Sequence, residues 1–247
     1  MRLFLLLRIA TFTSSLHLTV RPSRRAFINS GFTAALAFQA KPALALNKLV
    51  DEKLAIVPVF CVTTEDGEQP YFSETDYATG APVALFYLEK QFARPTLAKV
   101  LKSDGAAKIT SVPMSTALEF VMARDKKSQD ENGGIFRFEA SRRQIVHANG
   151  NSGRDLQLDK KGIATAGANV PLFFDRRVSV TSSDAFPFFF KLEDLENTFS
   201  KGTKGLPDEV QQQVKLNVEV TTLDRAVSGL LDGSLDERIL FLSSETF

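Results

Sequence analysis

The chain of 247 residues carries 30 basic and 29 acidic side chains, but unevenly: residues 1–45 hold six arginines or lysines and no acid, which leaves the remainder at a net −5. That acidic remainder argues against nucleic acid and anionic membranes as partners. It has one cysteine, Cys61, and one histidine, His147, too few for an internal disulfide or a His/Cys zinc site, so no metal and no cofactor is expected.

Residues 1–45 read as a plastid targeting presequence, being basic, rich in Ser and Thr, and without an acid before Asp51. Within it, Ser23-Arg24-Arg25-Ala26-Phe27, a weakly apolar run over 28–40, Lys41 and Ala43-Leu44-Ala45 have the layout of a twin-arginine export signal. Arg24 and Arg25 would be the recognised pair, and Ala43 and Ala45 would set the cleavage point. The run is interrupted by Asn29, Ser30 and Gly31 and is too short for a transmembrane helix.

A single mature domain is expected over 46–247. Apolar periodicity predicts a strand over 54–62, a loop with a short strand, a strand over 82–88, a helix over 89–102, a strand over 107–113, a helix over 116–124, a strand over 134–139 and a helix over 141–148. A polar connector, 149–167, follows. Beyond it come strands over 169–174, 177–181 and 187–191, a helix over 192–201, a strand over 214–220, a helix over 221–231 and a strand over 238–242.

These elements repeat. Pro82 recurs as Pro187, Thr116 as Thr221, Leu118 as Leu223 and Phe136 as Phe241, each 105 residues on, and Val57-Pro58-Val59-Phe60 is answered by Val170-Pro171-Leu172-Phe173. Each set opens an element, a proline leading an apolar strand and a capping box starting a helix. The pattern implies two duplicated αβ halves, about 54–148 and 168–243. Neither is large enough to close a sizeable core, so a mixed α+β domain with the halves related by a pseudo-two-fold is expected.

Reactive groups are sparse. Cys61 follows an apolar strand and reads as an inert core atom, the alternative being a peroxidatic thiol in a thioredoxin-like redox enzyme. His147 reads as a surface or half-buried residue. Glu193 and Asp194 suit the positive end of a helix dipole, and Asp66 and Glu68 lack an acid/base partner. Arg137, Arg142, Arg143, Arg176 and Arg177 read as solvated strand ends and helix faces. There is no Gly-rich phosphate loop. The expectation is therefore a protein without catalytic function.

Phenylalanine is in excess, 16 of the 21 lying beyond residue 45. Consecutive Phe188, Phe189 and Phe190 must alternate faces on a strand, so the strand is either covered on both sides or leaves an apolar face for binding.

The runs Leu54 to Phe60, Pro82 to Glu89, Ile109 to Leu118, Gly134 to Phe138, Val170 to Phe173 and Phe188 to Leu195, in this order and spacing, resemble the twenty-two-kilodalton component family of the chloroplast inner-envelope translocon. The resemblance spans about 48–245. It implies two related αβ halves with hydrophobic grooves and a chaperone-like, non-catalytic role in plastid protein import. The partners would be unfolded preproteins or transit peptides, with translocon subunits as a further possibility. Phe60, Phe86, Phe173 and Phe188 are the groove-lining positions the resemblance points to. The expected location is the plastid, with the thylakoid lumen favoured by the twin-arginine layout and the envelope intermembrane space, to which the resemblance points, as the alternative. A structural subunit of a plastid or thylakoid complex is the alternative function. The oligomeric state is not set by the sequence.

Overall fold

A computed structural model describes residues 47–76, 79–127, 134–152, 170–180, 184–204, 207, 209 and 213–244. The presequence with Arg24, Arg25, Ala43 and Ala45, and connector positions 153–167, lie outside the described residues.

Asn47 opens the first element, its side chain accepting from Leu49 N at 3.1 Å and so capping α1 (Lys48–Ala55). Val50 and Leu54, four positions apart, form its buried stripe. Leu54 thus belongs to a helix and not to the strand expected over 54–62; β1 runs Pro58–Thr63.

The first sheet adds β2 (Phe72–Thr75), β3 (Pro82–Tyr87), β4 (Lys108–Pro113) and β5 (Ile135–Glu139) to β1. Its order is β2-β3-β1-β4, with β5 parallel on β3. The second contains β6 (Pro171–Phe174), β7 (Phe186–Phe189), β8 (Glu219–Thr222) and β9 (Ile239–Leu242), in the order β8-β6-β7-β9. The path β4-β1-β3-β5 therefore matches β8-β6-β7-β9, including two antiparallel pairs and a final parallel one. Val180 makes only an isolated bridge with Ala185, in place of the strand expected over 177–181.

Helices follow matching strands. After β3 comes α2 (Lys90–Val100) and after β7 comes α5 (Leu192–Thr203); after β4 comes α3 (Met114–Lys127) and after β8 comes α6 (Leu223–Leu231). Met114 N donates to Val57 O and Leu223 N to Val170 O, each at 2.8 Å, so both edge strands turn into their helices the same way. The helices start at Met114 and Leu223, and Thr221 lies in β8, not at a capping box. A constant offset of 105 does not hold in space: the residues just before α2 and α5, Glu89 and Lys191, are 102 positions apart, whereas the first residues of α3 and α6 are 109 apart. The connecting loops differ in length between the halves.

The remaining helix, α4 (Arg142–Ser152), leaves the first half and packs on β6 and β8 of the second. The inner faces of both sheets meet in one core, where Val59, Phe86, Phe138, Leu172, Phe188 and Phe241 pack with residues of α1, α3 and α6. Outside the first sheet, Phe60, Leu85 and Tyr87 pack with Ala93 and Val100 of α2. Outside the second, Phe173 and Phe189 pack with Leu192 and Leu195 of α5 and Ala148 of α4. Phe188 and Phe190 lie in the central core and Phe189 in the outer one, so the triple-phenylalanine segment is covered on both faces. Full burial of each such ring contributes about 1.5–3 kcal/mol, which explains why covering both faces wins over leaving one open.

Arg137 is not a solvated strand end. It is 5% exposed in β5 and its guanidinium lies 2.9 Å from Asp76 Oδ1, itself buried. Burying a charge is costly unless it is paired, and Asp76 supplies the pair. Arg176 and Arg177 stay exposed but are tied to Glu219 and Asp175.

Candidate functional site

The helices α2 and α5 begin at matching places, and their first turns face a shared cleft of about 430 Å3 completed by the start of α4. Lys191 Nζ reaches across it to Glu89 Oε2 at 2.8 Å, joining the residues that precede the two helices. From α4, Gln144 is buried and bonds twice to the second half: its amide nitrogen donates to Glu193 Oε2 at 2.7 Å and its oxygen accepts from Leu192 N at 2.9 Å. It thereby satisfies one of the otherwise unpaired N–H groups at the start of α5, whose preceding residue makes no side-chain cap. Arg143 Nε lies 2.7 Å from Glu193 Oε1 and donates to His147 Nε2 at 3.3 Å. Burial works against the charged form of Glu193, but hydrogen bonds from its own backbone and from Gln144, with the Arg143 charge, outweigh it. Its carboxyl is held below the usual carboxylate range.

Phe92, in the first turn of α2, stands 39% exposed on the rim of this cleft. Asp194 and Ser244 line both the cleft and a second depression of about 390 Å3, whose apolar wall is Phe189 and Leu242. The two depressions therefore adjoin along the start of α5. The first is lined mainly by charged and polar side chains, and the second adds Phe189 and Leu242 to Asn197, Thr198 and Lys201, a mixed lining that does not suit a small apolar ligand.

The four phenylalanines expected to line grooves are all buried. Phe60 is in the outer core beneath α2, Phe86 and Phe188 are in the central core, and Phe173 is in the outer core beneath α5. Phe173 is the cross-strand partner of Phe189, so it lies behind the apolar wall of the second depression; the others do not reach the cleft. The sequence reading missed Phe92, Gln144 and the Glu89–Lys191 contact. The one signal for it was the charge reversal at matching positions before α2 and α5.

Cys61 is buried in the central core and burial pushes its thiol up to about 12, so the thiolate a redox enzyme needs is not formed near neutrality. Among the described residues no three His, Cys, Asp or Glu side chains converge as a metal centre requires. No helix among them is long and apolar enough to cross a membrane.

Fold and cleft together define an α+β protein of two like sheets around one core, with a mixed polar and apolar cleft where the halves meet. A family model described as the Tic22-like family matches residues 4–242, and the chain belongs to that family. The match runs through the segment read as a presequence. Among solved structures, Tic22 from Plasmodium falciparum is similar at 20% identity and a TM-score of 0.56, over 80% of this chain and 92% of that one. Anabaena Tic22, titled as a protein-transport protein, is similar at 17% identity and a TM-score of 0.55, over 82% of this chain and 95% of that one. These likenesses show the fold. No curated protein matches the sequence. Membership of the family carries a role in protein transport and import and an association with plastids.

Proposed function

We propose that the chain is a non-catalytic holding factor for unfolded preproteins during plastid protein import, binding them along the surface where its two halves meet. The observation that carries this reading is the adjoining pair of depressions at the start of α5, in a chain of a protein-import family. Phe92 on the rim, with the partly buried Leu242 in the second depression, would contact apolar client side chains. The edge strand β4 adds a second means of contact. Among the described residues it pairs only with β1, so its outer backbone groups can accept an added strand. Such binding needs no nucleotide, and its affinity is reduced by the entropy the client loses on being held.

The test is suppression of aggregation of an unfolded model preprotein by the purified full chain. Solubility maintained at near-stoichiometric protein supports the reading. No effect at several-fold excess overturns it and favours a structural subunit, which would instead co-purify in a fixed complex.

The proposed location is the plastid envelope, in the intermembrane space. Arg24-Arg25 with Ala43 and Ala45 favours a second location, the thylakoid lumen. Residues 1–47 fused to a fluorescent protein distinguish them: signal at the plastid rim excludes the lumen, and lumenal signal lost on paired Arg24→Lys and Arg25→Lys substitution excludes the envelope.

A further inference from the structure

Strand pairing aligns the two halves residue by residue. In the first, Phe60 of β1 stands opposite Tyr87 of β3, and Tyr87 opposite Glu139 of β5. In the second, Phe173 of β6 stands opposite Phe189 of β7, and Phe189 opposite Leu242 of β9. The matching bonds from Met114 N to Val57 O and from Leu223 N to Val170 O make Phe60 and Phe173, each three residues on, equivalent. Glu139 therefore corresponds to Leu242, 103 positions further on. Carried past the strands, the same offset matches Ser141 to Ser244, and both line the cleft. After Ser141 the chain enters α4, whose Gln144 accepts from the N–H of Leu192, the first residue of α5. After Ser244 come Glu245, Thr246 and Phe247, and Phe247 is the counterpart of Gln144. Its symmetry-related target is the first turn of α2, where Phe92 stands exposed and Glu89, before the helix, makes no side-chain cap.

We propose that residues 245–247 of the same chain fold back over the first turn of α2, with the Phe247 ring against Phe92, and cover the rim of the cleft. Three residues reach at most about 10 Å. That is enough, because Ser244 and Phe92 line one cleft of about 430 Å3. The partners suit each other: an aromatic ring meets an exposed aromatic ring, and the short tether keeps the two at high effective concentration. Holding the segment costs it the freedom of three residues, which offsets most of what burying one ring contributes. The cover is therefore weak and displaceable. Its competition with a client rests on the function proposed above: an apolar client segment reaches Phe92 only by displacing Phe247.

The chain has no tryptophan, so Phe92→Trp in the full chain is a unique probe of the rim. Its quenching by acrylamide is expected to rise about twofold when Phe247→Ser is added, and as much when the chain is ended at Ser244. Leu101→Trp serves as control. Leu101 is 41% exposed at the far end of α2, about 13 Å along the helix from Phe92, and its quenching should be the same in all three chains. With the native Phe92 kept, the backbone amide signals of residues 90–92 should shift between wild type and Phe247→Ser, which guards against a tryptophan that disturbs the rim. Equal quenching at position 92 in the three chains, with unmoved amides, overturns the cover. Protection that is lost on dilution belongs to a second copy's tail and overturns the contact within one chain. Aggregation suppression is read separately on the same chains, where removal of the cover should lower the amount of protein needed. Protection at 92 without that gain removes the competition and leaves the cover. No suppression by any of the chains removes the holding function and leaves the cover standing.

Discussion

Lys191 Nζ lies 2.8 Å from Glu89 Oε2, and the two residues hold the same place in the two halves, each directly before the helix that follows the central strand. The contact is mostly buried, so its partners are poorly hydrated and depend on one another. Replacing either alone, by Lys191→Met or Glu89→Gln, is expected to destabilise the fold by about 1–3 kcal/mol. The double replacement should cost less than the sum, and the charge-reversed pair should regain part of the loss. Chemical denaturation of wild type and the four variants measures the coupling; strict additivity would show that the contact does not join the halves.

Cys61 should behave as a core atom. Its thiol, pushed up to about 12, is expected to react with a thiol reagent at pH 8 only at the rate at which the protein opens. Cys61→Ala should leave client holding unchanged. Cys61→Ser should cost about 1–3 kcal/mol, because it places a hydroxyl among Val59, Phe86 and their neighbours. Rapid labelling of the native chain, or peroxide turnover, would contradict this.

Acid should remove a stabilising contribution at Asp175, where a buried carboxylate is tied down. Asp175 accepts from Arg177, whose guanidinium nitrogens lie at 2.9 and 2.6 Å, and from the backbone N–H groups of Arg177 and Asn217. The Arg177 side-chain bonds, helped by the backbone bonds, outweigh burial and bring its carboxyl down to about 2. The folded value lies below the unfolded one, so the stabilisation is fully present above the ordinary Asp range. It is lost as pH falls through about 2. Wild type should be clearly more stable than Asp175→Asn at pH 6, and the gap should narrow between about pH 4 and pH 2. A gap independent of pH over that window would show that the charge of Asp175 is not what the bonds stabilise.

The alternation along the strands was legible from sequence: the two-residue period puts Phe189 on the face opposite Phe188 and Phe190, but that both faces are covered is seen only in the structure. The order of elements was also legible, apart from the strand expected over 177–181, where the described residues form an isolated Val180–Ala185 bridge, and apart from α1. There Leu54-Ala55-Ile56 reads as the start of a strand until Asn47 and Val50 are seen as its cap and stripe. What periodicity does not give is which covered surface is the outer one. Phe60, Phe86, Phe173 and Phe188 satisfy the apolar pattern and are all interior, whereas Phe92, on an amphipathic helix, looks like core and stands at the rim. Arg137 shows the same limit for charge. Its partner Asp76 lies 61 positions away, and nothing local marks either as buried.

The most direct test of the holding function places a photoreactive side chain at Phe92 of the full chain, and in separate chains at the buried Phe173 and at Glu196. Irradiation in the presence of an unfolded preprotein should capture the client from position 92, and not from 173 or 196. Capture from none of the three, or equally from 92 and 196, would contradict binding where the halves meet.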